Sequence, residues 1–141
     1  MRILQYELNF STTEKIEILN ITNDIKKFVR GCAISEGICL IFAPHNTAAV
    51  LLQEDESGLI EDIKNKITEL FPEQGKYEHN RVDDNAHSHL ASMMLNQSLV
   101  LPIKNEELIL GTWQSILFLE FDGPRELRTV IVYVIGEEVG K

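Results

Sequence analysis

The chain has 141 residues, 44% of them hydrophobic, enough to give one domain a core of its own. Thirteen lysines and arginines against 22 aspartates and glutamates leave a net charge of −9, which excludes the basic stripe that nucleic acid or an anionic membrane surface needs in a partner. The two cysteines, Cys32 and Cys39, are too few for a disulfide framework and read as reduced, buried thiols.

Residues 1–10 contain no apolar run followed by a small-residue cleavage site. The longest apolar runs, 38–43 and 129–135, fall well short of the roughly 20 residues of a spanning helix. A soluble, cytoplasmic protein is expected, and with no repeat or linker the whole of 1–141 reads as a single domain.

Residues 1–10 alternate, with Leu4, Tyr6, Leu8 and Phe10 on one face, which is the period of a half-buried strand. Residues 14–20, after the polar turn Ser11-Thr12-Thr13, read as its partner strand. Thr22 is placed to cap a helix carrying Ile25, Phe28, Val29 and Cys32 at helical spacing, with Gly37 as its stop. Residues 38–43 and 48–53 are apolar runs that fit buried strands on either side of Pro44-His45-Asn46-Thr47.

A second helix is predicted over 57–71, where Leu59, Ile63, Ile67 and Leu70 form a stripe that Pro72 ends, and 72–82 reads as polar loop. Asp83 or Asp84 can cap a third helix reaching about Met94. Strands at 98–103, 113–121 and 129–135 close the chain, the last apolar on both faces and therefore expected to be central and covered on both sides. Two to three short helices among these strands, without regular βαβ alternation, predict an α+β domain on mostly antiparallel sheet.

Three of the four histidines, His79, His87 and His89, fall within eleven residues, and His45 lies in a strand-to-strand loop. Such grouping suits a metal site or acid–base chemistry, and equally suits solvated loop histidines. On a helix His87 and His89 diverge by about 200°, whereas Asn85 and His89 share a face. His89 is thus preferred, with Asn85 able to orient its ring, and His87 is set aside.

Gln114 and Glu120 lie on one face of a predicted strand, about 20 Å apart, so they serve different sites or meet across a subunit boundary. Arg125, after the turn signature Asp122-Gly123-Pro124, suits a phosphate, a carboxylate or a surface salt bridge. The single Trp113 reads as a packing residue. No phosphate-binding glycine loop, dinucleotide motif, Cys-x-x-Cys or serine-hydrolase elbow is present.

The series Pro44-His45-Asn46-Thr47-Ala48-Ala49-Val50, Tyr77-Glu78-His79, Asp84-Asn85-Ala86-His87-Ser88-His89, Gly111-Thr112-Trp113-Gln114 and Glu120-Phe121-Asp122-Gly123-Pro124-Arg125 resembles the YjbQ family over nearly the whole chain. The resemblance implies a compact α+β homotrimer and a secondary thiamine-phosphate synthase activity joining a pyrimidine diphosphate to a thiazole phosphate. It makes His45, His79 and His89 the recurrent histidines, and Asn85, Gln114, Glu120 and Arg125 the other polar motif positions. The chain departs from the family pattern at Asn46, at His87 where an acid is usual, and at Ala91 where a lysine is usual.

The expected function is therefore an enzyme of phosphorylated small metabolites, with a non-catalytic metabolite- or metal-binding homotrimer as the alternative. His45, His79 and His89 would hold a divalent metal, zinc or magnesium, near a trimer interface. His45, His89, Asn85, Gln114 and Glu120 would serve catalysis, Glu120 as acid–base or as partner to a histidine, while Thr47 and Arg125 would bind substrate.

Overall fold

The computed structural model describes residues 1–140. Chain order is β1 (Arg2–Phe10), β2 (Glu17–Asn20), α1 (Thr22–Gly31), β3 (Ile34–Phe42), β4 (Ala48–Gln53), α2 (Ser57–Leu70), a 3-10 turn (Glu78–Arg81), α3 (Ala86–Met94), β5 (Ser98–Lys104), β6 (Glu107–Leu108), β7 (Ser115–Glu120) and β8 (Arg128–Glu138). The strands form a five-stranded sheet, β1-β8-β3-β5-β6, and a three-stranded sheet, β2-β7-β4. Every pairing is antiparallel, so the chain is an α+β domain as expected. No described helix is long and apolar enough to cross a membrane.

Side-chain alternation stacks three layers. Ile41, Leu101 and Val132 of the large sheet pack against Val50 and Phe118 of the small one, and α1 closes that core with Ile25 and Val29. The opposite face of the small sheet, with Ala49, Leu117 and Leu119, packs on Ile60, Ile63 and Ile67 of α2 and Ala91 of α3. The apolar face of α2 is thus rotated from the expected stripe, since Ile60 packs while Leu70 is 62% exposed. Cys32 and Cys39 are free and buried, and burial pushes the Cys39 thiol up to about 12.

Several elements differ from the sequence reading. β2 pairs with β7, not β1, while β1 runs along β8. α1 stops at Gly31, short of the stop expected at Gly37, because Ala33, at φ 55°, turns the chain into β3. Gly37 instead lies opposite Gly136 of β8, where a Cβ on either would overlap the facing backbone. Thr22 does not cap α1: its hydroxyl donates to Asn20 Oδ1 at 2.5 Å and accepts the Ile116 N–H at 2.8 Å, tying the helix to β7. Asn105 and Glu106, both at positive φ, make the two-residue turn between β5 and β6.

The strand covered on both sides is β7, whose residues from Ile116 to Glu120 are all buried. β8 is interior to its sheet, but Thr129, Ile131, Tyr133 and Ile135 on its second face stay half-buried. Across that open face the register sets Ile3, Ile135, Ile38 and Pro102 in one row, and Gln5, Tyr133, Leu40 and Val100 in the next. Trp113, expected to pack, is 74% exposed on the turn before β7.

Candidate active site

The pairing Ala48↔Glu120 sets the start of β4 beside the end of β7, and Phe121 N–H donates to the Thr47 carbonyl at 3.1 Å. Glu120, with no exposed surface, therefore points into a closed polar knot. Arg128, the first residue of β8 and 5% exposed, gives it a two-pronged ion pair through Nε, at 2.8 Å from Oε1, and Nη2. Thr12 Oγ1 donates to Glu120 Oε1 at 2.7 Å and accepts the Arg125 N–H at 2.9 Å. Asp122 N–H donates to Glu120 Oε2 at 3.0 Å. Burial alone would raise this carboxyl, yet Arg128, Thr12 and the Asp122 amide outweigh it and hold the group below the ordinary range.

Asp122 continues the network toward the surface. Its Oδ1 accepts from Lys15 Nζ at 3.0 Å, and its Oδ2 from Asn85 Nδ2 at 2.8 Å and Arg125 Nη2 at 2.7 Å. Burial opposes ionisation here too, and the bonds from Asn85, Lys15 and Arg125 again hold the carboxyl down. Gly123 makes the corner possible, since a Cβ there would overlap the Glu14 carbonyl oxygen.

Asn85 stands at the N-cap of α3 without capping it, because its amide is spent on Asp122 and on His79. His79 Nε2 lies 3.0 Å from Asn85 Oδ1. The His79 and His89 rings meet edge to face with centroids 4.7 Å apart. Both line a cavity of about 410 Å³ with Lys76, Tyr77, Glu78, Ala86 and Leu90. His89 and Leu90 also border a second cavity, of about 390 Å³, with Asn46, Met93 and Gln97, so His89 stands between two concave surfaces.

His45 is placed differently. Its Nε2 lies 3.0 Å from both the Thr129 N–H and the Thr129 carbonyl oxygen, and the ring is edge-on to Phe118. Burial and the nearby Arg128 charge push its pKa below the ordinary 6.5, so the ring is neutral at physiological pH. Engaged by the Thr129 backbone as acceptor or donor, that nitrogen is not free for a metal.

The expected site residues therefore separate. His79 and His89 line the cavity, Asn85 links His79 to Asp122, and Arg125 holds Asp122 from outside the cavity lining; Asn85 thus orients His79, not His89. Glu120 is locked in its ion pair and has no proton to exchange near neutral pH. Thr47, expected to bind substrate, gives its Oγ1 to Arg128 Nη2 at 3.0 Å. Gln114 closes its own turn by accepting the Gly111 N–H at 2.8 Å, at the far end of β7 from Glu120. Among the described residues no three His, Cys, Asp or Glu side chains are grouped to hold a metal, so one chain does not assemble His45, His79 and His89 into a site.

His87, set aside on the sequence, is 6% exposed and leaves Nδ1 as a buried nitrogen with no hydrogen-bond partner. Sequence reasoning passed over Thr12, Lys15, Asp122 and Arg128. Arg128 alone carried a signal: a charge heading an apolar strand needs a buried counter-charge.

The carboxylates make stability depend on acid. The folded pKa values of Glu120 and Asp122 lie below the ordinary 4.5 and 3.8, so in that range the unfolded chain binds more protons. Their contribution is complete above about pH 4.5 and is lost as pH falls toward the lowered folded values. Denaturation midpoints measured from about pH 6 to about pH 3 should fall accordingly, with a shallower fall in Glu120→Gln.

Comparison with known proteins agrees with this architecture. Residues 6–137 match the family described as UPF0047 protein YjbQ-like. A UPF0047 protein of Archaeoglobus fulgidus is 42% identical over 125 residues, 89% of this chain and 97% of that protein. The UPF0047 protein YugU of Bacillus subtilis is 34% identical, over 92% of this chain and 97% of its own length. A crystal structure of a YbjQ-like protein of unknown function from Sulfolobus solfataricus superposes with a TM-score of 0.95 at 40% identity, covering 96% of this chain and 99% of that one. In sequence and in fold, the chain belongs to the YjbQ-like UPF0047 family.

Proposed function

We propose that the chain is an enzyme of phosphorylated small metabolites working at the cavity lined by His79 and His89, and that joining a pyrimidine diphosphate to a thiazole phosphate is a reaction it supports. The observation that carries this reading is the paired imidazoles on a cavity wall, joined through Asn85 to Asp122 and its two cations. Asp122 faces both Lys15 and Arg125, so two cations stand at one carboxylate, with Glu73 and Asp84 also near Lys15. Arg125 spends Nε and Nη2 on Asp122 while its side chain is 45% exposed, leaving the rest of its fork for a phosphate oxygen. On the cavity wall itself Lys76 supplies a cation, with Glu78 beside it.

A zinc or magnesium ion does not fit the three histidines of one chain, whose described residues bring no three such side chains together. The test is turnover of the pyrimidine diphosphate and thiazole phosphate pair by purified protein, abolished in His89→Ala. Saturable ligand binding without turnover in the unsubstituted protein would replace the enzyme with a non-catalytic metabolite binder.

Assembly with two further copies, as a homotrimer, belongs to the same reading. It is supported by the uncovered face of the large sheet, where Ile3 is 64% exposed, Ile38 44%, Phe42 39% and Val100 60%. Sedimentation should show a trimer that dissociates in Val100→Glu; a monomer in the unsubstituted protein would remove this element.

A further inference from the structure

Hydrogen-bond polarity around Asn85 determines more than proximity does. An ionised carboxylate only accepts, and Asp122 is kept ionised by Lys15, Arg125 and Asn85. The Asn85 group facing Asp122 Oδ2 at 2.8 Å must therefore be its NH₂. The amide is planar, so its other end, the acceptor Oδ1, is the one at 3.0 Å from His79 Nε2. An acceptor there demands a donor, and Nε2 must carry the hydrogen. The tautomer is set by a carboxylate two groups away from the ring.

We propose that Asp122 and Asn85 are positioning residues that lock His79 as the Nε2–H tautomer, so that Nδ1 is the bare nitrogen the site offers to a proton-donating group of its ligand, a hydroxyl or ring N–H. This rests on reading the cavity as a ligand site, but the tautomer itself does not. Lys15 and Arg125 take a further part, because each bond they make to Asp122 holds it as an acceptor and the amide cannot turn over. His89, edge to face with His79 at 4.7 Å between centroids, limits the ring's rotation from the other side. The arrangement follows the logic of an imidazole oriented by an amide or carboxylate behind it, with the working nitrogen on the opposite side.

The test is nitrogen-15 correlation of the imidazoles in the full chain, dialysed against a chelator, at about pH 8 where an ordinary imidazole is neutral. The expected spectrum has His79 Nε2 with the shift of a protonated nitrogen and Nδ1 with that of a bare one, in a single population. Asn85→Ala, which removes both bonds from a position that does not cap α3, should convert His79 to a mixture of tautomers. Asp122→Asn should do the same by letting the amide turn over, and the Asn85→Ala result stands alone if that variant does not fold. A protonated Nδ1 in the unsubstituted protein, or an unchanged spectrum in Asn85→Ala, would overturn the inference. Correct tautomers in a protein that turns nothing over would leave the positioning intact and count against the enzymatic reading alone.

Discussion

Arg128→Met is expected to destabilise the protein by about 3–5 kcal/mol, because it strands the Glu120 carboxylate in a site with no exposed surface. Small domains keep only about 5–15 kcal/mol in total, so the loss is a large share of the whole. Glu120→Gln should cost a comparable amount by leaving the guanidinium unpaired beside Thr47. The double variant Glu120→Leu with Arg128→Met should recover most of either loss, since exchanging the whole pair for apolar groups removes both desolvation penalties. Urea unfolding of the three variants measures this. Single costs below about 1 kcal/mol would mean that water reaches the pair.

The second large effect falls on turnover. His79→Gln and His89→Ala should each lower kcat/KM by about 10²–10⁴-fold, the range lost when a positioned proton-transfer group is removed. Neither should cost much stability, because His79 is exposed and His89 half-buried. Equal losses from His45→Ala would need another cause: that ring is held on the Thr129 backbone, and its removal takes away a hydrogen-bond partner beside Phe118. Stability and kinetics of the three variants together separate the two classes of histidine.

Much of the fold was legible from periodicity alone. The alternation of residues 1–10 and the apolar runs behind β3, β4 and β8 are local signals, and so is the stripe of α2. Pairing is not local: nothing in residues 17–20 says that they join β7 across 97 residues or more, and a two-sided apolar strand reads the same whether its second face meets a layer or stays open. The end of α1 was hidden because an alanine, not a glycine, takes the positive φ.

The site divides the same way. Helical spacing put Asn85 and His89 on one face, but Asn85 stands just before α3, and the ring it holds comes from a 3-10 turn inside a stretch that reads as loop. Glu120 was visible as a polar residue in an apolar strand. Its lock required the register that brings Thr47 and Arg128 to it. Asp122 looked like part of a turn signature because aspartate before Gly-Pro usually is one.

A phosphorylated ligand is proposed to sit in the His79–His89 cavity. The most direct measurement of this is a titration of nitrogen-15-labelled protein with inorganic pyrophosphate, following ring and backbone signals together. Saturable shifts concentrated on His79, His89, Lys76 and Arg125, absent in Arg125→Ala, are the predicted result. Saturable shifts elsewhere on the chain, with these four residues unmoved, would contradict it.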